Sequence, residues 1–81
     1  MLGIGIDWAE DFHLVALGRP GEGVVEVSRV EHTPAAVDAL VARIAAMEPD
    51  PAEVRVVLET RHGLLVERLV EAGYVVVPVN P

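Results

Sequence analysis

Two carboxylates in this chain stand where chemistry could be done, Asp7 and Glu59. Asp7 ends the apolar run Leu2-Gly3-Ile4-Gly5-Ile6, and Glu59 ends a second short strand, Val54–Leu58, apolar except for Arg55. The first run, apolar on both faces, is typical of a strand inside a parallel or mixed sheet. In open sheets of that class the carboxyl ends of the strands line the binding crevice. If the two runs are neighbours, two carboxylates meet at one sheet edge. Like charges so placed raise one another's pKa unless a cation intervenes. Magnesium is the natural cation, because it takes a few carboxylates, keeps several waters and shares phosphate oxygens. Such a centre supports in-line phosphoryl transfer by stabilising the attacking and leaving oxygens. The plainer reading of Asp7 alone is a turn cap.

The rest of the chain supplies the elements that would bring the acids together. Trp8–Asp11 reads as a turn, and Phe12–Leu17 and Val24–Val30 as a hairpin around the glycine-rich Gly18–Gly23, with the second strand at an edge. Thr33 followed by Pro34 is an N-cap with proline in the first helical position, and Val37, Leu40, Val41, Ile44 and Met47 then recur at helical spacing. Pro49-Asp50-Pro51 stops that helix. A second amphipathic helix runs from about His62 to Ala72, closed by Gly73, and Tyr74–Val79 forms the last strand. Two hairpins followed by two helical crossovers imply an α/β fold with a mixed five-stranded sheet of order 3-2-1-4-5. In that order only the second strand is antiparallel to the rest, and Asp7 and Glu59 end adjoining parallel strands. Right-handed crossovers travelling the same way across the sheet put both helices on one face. The other face is then left open and rich in Val, Ile and Leu, which predicts association with a second copy or with further chain.

Composition narrows the class. At 81 residues the chain is one domain or part of one, and it has no cysteine, which excludes disulfides and thiolate metal sites and suits a reducing cytoplasm. It has no apolar run long enough to span a bilayer and no basic leader, so a soluble, cytoplasmic protein without membrane contact is expected. The net charge of −7, from 13 acidic and 6 basic residues, argues against a nucleic-acid grip built into this segment; a basic surface would lie elsewhere in a longer protein. Three aromatics give little basis for base stacking.

Taken together, Gly5-Ile6-Asp7 with His13, Leu58-Glu59-Thr60-x-x-Gly63, Leu69-x-x-Ala72-Gly73 and Val79-Asn80-Pro81 resemble the N-terminal part of the DEDD transposases of the insertion sequence 110 family. The resemblance covers Gly3 to Pro81. It implies a RuvC-like, RNase H-type fold, here an incomplete domain spanning residues 1–81. Asp7 matches the first acid of the DEDD tetrad and Glu59 the second, so both are implied as catalytic residues and metal ligands. The family further implies Mg²⁺-dependent DNA strand cleavage and exchange, a separate C-terminal domain contributing a serine, and a structured guide RNA as partner. The chain departs from the family pattern at Trp8-Ala9-Glu10, where a small residue and lysine are usual, and at Arg61-His62 before Gly63. It ends before the two remaining aspartates, so by this reading it holds half an active site and is inactive alone.

Other residues carry weaker expectations. His13 is expected on the sheet surface rather than as a ligand, His62 at a solvated helix start, and Trp8 at the rim of the acid site. Gly63, in the first turn of its helix, either lets a phosphate approach the backbone or is simply tolerated there. Two alternative functions stand beside the transposase fragment. A nucleotide-binding fragment of the actin-like or sugar-kinase class also opens with Gly-x-Asp, but needs Gly and Thr or Ser where Trp8-Ala9-Glu10 stands. A non-catalytic interaction or oligomerisation remnant would work equally well with both acids neutralised.

Overall fold

A computed structural model describes residues 1–59 and 63–79. Its elements follow in the order β1 (Leu2–Asp7), β2 (Phe12–Arg19), β3 (Gly23–Glu31), α1 (Pro34–Met47), a 3₁₀ turn (Pro51–Glu53), β4 (Val54–Leu58), α2 (Leu64–Glu71) and β5 (Val75–Pro78). The five strands form one mixed α/β sheet in the order β3-β2-β1-β4-β5, as the connections imply, and its topology is compatible with an RNase H-like fold. β2 is antiparallel to β1 and β3, while β4 is parallel to both β1 and β5.

Alternation along the strands sorts the residues. Leu2, Ile4 and Ile6 of β1, Val15 and Leu17 of β2, and Val54, Val56 and Leu58 of β4 all point to one face and are buried. There they join Val37, Leu40 and Ile44 of α1 and Leu65, Val66 and Leu69 of α2 in a single core, so both helices cover the same face. The opposite face exposes Leu14, Val27, Val57, Val75 and Val77. It follows from the period of two in a strand that a sheet covered on one side leaves alternate residues open on the other.

The helix ends show how local and distant groups share the work of capping. Thr33 Oγ1 accepts the Ala36 N–H at 3.2 Å and Pro34 follows, as expected for the start of α1. At the other end the last turn has no basic residue of its own; Arg19, at the end of β2, donates to the Met47 carbonyl at 3.0 Å and supplies the missing positive charge. α2 starts at Leu64, after Gly63 with φ 108°, so Gly63 precedes the helix instead of lying in its first turn; His62 lies outside the described residues. α2 closes in a Schellman motif. The Tyr74 N–H reaches Leu69 O at 3.1 Å, the Gly73 N–H reaches Val70 O at 2.9 Å, and Gly73 takes φ 93°. Tyr74 thereby belongs to the helix cap and is buried, which is why β5 begins at Val75.

Within the hairpin the register shifts between Leu17 and Gly18. A Cβ at Gly18 would lie 2.8 Å from the Gly23 carbonyl oxygen, so the bulge closes only around a residue without a side chain.

Candidate functional site

The parallel ladder between β1 and β4 runs from Leu2 opposite Val54 to Ile6 opposite Leu58. One step further along both chains come Asp7, the last residue of β1, and Glu59, the first after β4. On the far side of β4, the Val79 N–H donates to Leu58 O at 3.0 Å and carries backbone pairing up to the same edge. Both acids are solvent-exposed and both line a shallow depression of about 370 Å³ on the open face of the sheet. Its floor is Gly5 beside Ala16, its walls are Leu14, Val27, Val57 and Val79, and the carboxylates stand at one end.

Gly5 is what keeps that floor low. Nothing lies within 4 Å of where its Cβ would be, so the glycine opens space above the sheet and is not there for close backbone packing. Gly3 opposes Gly18 on the next strand and continues the low strip away from the acids.

An all-oxygen set of two carboxylates suits a hard cation such as Mg²⁺, which is commonly held by one or two carboxylates with water and substrate phosphate completing its shell. Among the described residues no third His, Cys, Asp or Glu joins them. The two acids could therefore anchor such an ion, leaving most of its coordination to water or substrate.

A second cluster sits at the same end of the sheet but on the opposite face. His13 is fully buried on the helix-covered side, in register with Val15 and Leu17, which corrects its expected placement on the sheet surface. Its Nδ1 accepts the Ala9 N–H at 3.3 Å, and its Nε2 lies 2.8 Å from His32 Nδ1. The imidazoles meet edge to face with centroids 5.0 Å apart, and Trp8 packs against both, 6.0 Å from His13 and 6.4 Å from His32. Trp8 thus belongs to the histidine cluster and not to the rim of the acid site. Burial, reinforced by the neighbouring His32, lowers the His13 pKa from its ordinary value. The alternation of His13 with Val15 and Leu17 was the signal for its burial; its pairing with His32, across the hairpin, had none.

The family of DEDD transposases of the insertion sequence 110 type, described as Transposase, matches residues 4–81. This chain belongs to that transposase family. The chain is also 34% identical, over 90 aligned residues, to "Putative transposase y4uE" of Sinorhizobium fredii (strain NBRC 101917 / NGR234), the alignment covering 95% of this chain. It spans only 22% of that relative's length. Among the described residues, no helix is long and apolar enough to cross a membrane.

Proposed function

We propose that this chain is the N-terminal part of the RuvC-like catalytic domain of a DNA transposase, and that Asp7 and Glu59 are the first two acids of its Mg²⁺-dependent centre. The observation that carries the proposal is the β1–β4 register, which ends two parallel neighbours in carboxylates above one depression. When bound, Mg²⁺ would neutralise the two acids and polarise a phosphodiester for in-line attack by an oxygen nucleophile. The part played by this chain is to hold two anionic oxygens on rigid strand ends, so that the ion and the phosphate it carries are fixed relative to the sheet.

The remaining acids, the positive surface for DNA and the contacts to a guide RNA would come from the longer protein. With 13 acidic against 6 basic residues, this segment supplies no net attraction for a polyanion. Alone it is inactive. The open valine-rich face is where it would meet the rest of the protein or a second copy.

The direct test is Mn²⁺ and Mg²⁺ titration of the chain and of Asp7→Asn and Glu59→Gln. Binding that is lost in both variants, with nuclease activity appearing only when the downstream acids are supplied, supports the proposal. Metal binding indifferent to both substitutions would refute it and leave the interaction-module reading in place. Saturable ATP binding would instead favour the nucleotide-binding class.

A further inference from the structure

The turn Trp8–Asp11 leaves the sheet directly after Asp7, and it is fastened from the helix-covered side. Three contacts do this: the Ala9 N–H to His13 Nδ1, the His32 N–H to Asp11 O at 3.0 Å, and the Trp8 ring against both imidazoles. The hydrogen bonds fix the proton positions. Since His13 Nδ1 accepts from Ala9, a neutral His13 carries its proton on Nε2 and donates it to His32 Nδ1, which leaves the His32 proton on its own Nε2. The chain Ala9 N–H to His13 to His32 is complete only when both rings are neutral. A proton added at His13 Nδ1 would face the Ala9 N–H, and one added at His32 Nδ1 would face the His13 donor.

We infer that His13, oriented by His32, is a positioning residue for Asp7: this neutral relay holds the first turn and with it the backbone on which Asp7 is presented to a cation. The inference rests on the reading of Asp7 as a metal-bearing acid. It accounts for a buried histidine that touches neither acid in the β-ladder, where Asp7 is paired with Leu14 and His13 with Val30. Charged groups on the surrounding elements leave the relay alone. Glu10 and Asp11 of the turn are exposed, Glu31 of β3 is exposed and paired with Arg29, and Asp38 of α1 is exposed and paired with Arg68. Only burial and His32 displace the titration of His13. Acid should therefore loosen the turn while the strands remain paired.

The test is NMR of the full ¹⁵N-labelled chain without metal, followed by Mn²⁺ titration read as broadening at the Asp7 amide. Expected at neutral pH are Nε2–H tautomers on both histidines and an Ala9 amide that exchanges at least tenfold more slowly than in His13→Leu, with Val15 and Leu17 amides protected in both. His13→Asn, which restores an acceptor near Nδ1, should recover the Ala9 protection. The Mn²⁺ midpoint should rise about tenfold in His13→Leu, the low end for groups that orient a metal ligand from behind, and recover in His13→Asn. Should His13→Leu not fold, His32→Ala at a half-buried position carries the same test, with Ala9 protection and Mn²⁺ affinity falling together. An Nδ1–H tautomer at His13, or equal Ala9 protection with and without the acceptor, overturns the inference. Mn²⁺ affinity unchanged in His13→Leu but lost in Asp7→Asn overturns the positioning role while the acid reading stands. Affinity unchanged in Asp7→Asn as well removes the acid reading and the inference with it.

Discussion

On one side of the sheet Ile4, Ile6, Val15, Leu17, Val56 and Leu58 lie under two helices; on the other, Leu14, Val27, Val57 and Val77 are exposed beside the strip of Gly3, Gly5 and Gly18. The strands are the same and the residue types overlap. What differs is the partner. The covered face is packed within this chain, whereas the open face is left to solvent and holds both proposed metal ligands. A fold of this kind separates the residues that keep it folded from those free to meet a substrate or another chain.

The strongest way to break that comparison is to shorten one residue on each face. Leu58→Ala, in the core on the helix-covered face, should cost about 2–5 kcal/mol in urea unfolding, while its neighbour Val57→Ala on the open face should cost under about 1 kcal/mol. Equal losses would mean that the open face is packed in solution. Glycines sharpen the contrast. Gly18→Ala forces a methyl toward the Gly23 carbonyl and should lose about 1–3 kcal/mol. Gly5→Ala meets nothing within 4 Å and should be neutral or slightly stabilising, although it raises the floor of the depression.

Acid should act on the covered face first, because His13 is a buried, titratable side chain there. Its pKa is lowered in the folded chain, so the unfolded chain takes up the proton more readily. The His13 contribution is therefore complete above about pH 6.5 and is lost as pH falls below it. Thermal melts across pH 7.5 to 5 should show this decline, and His13→Asn should flatten it. The smallest expected change in stability, within about 0.5 kcal/mol, is for Val57→Lys. Sedimentation then reports on partners: if a second copy covers the open face, the wild-type chain associates with concentration and Val57→Lys does not.

Local pattern carried much of this architecture into view. Thr33-Pro34 marked the start of α1, Gly73 its counterpart at the end of α2, and the two runs ending in Asp7 and Glu59 marked strands whose order followed from the length of their connections. Element ends were less legible where a distant group decides them. Arg19 caps α1 from β2, and Tyr74 is drawn into the cap of α2, so the last strand is shorter than its valines suggest.

The sequence by itself determined the periodicity, hence which residues share a face, and the connections, hence which strands can be neighbours. Both are local properties of the backbone, a period of two in strands and the reach of a crossover. Only the tertiary structure decided that Asp7 and Glu59 line one depression, that Gly5 serves as its floor, and that His13 meets His32 and Trp8 in a relay. Those outcomes depend on register and on side chains from separate strands meeting in space, and no spacing along a single strand encodes such a meeting.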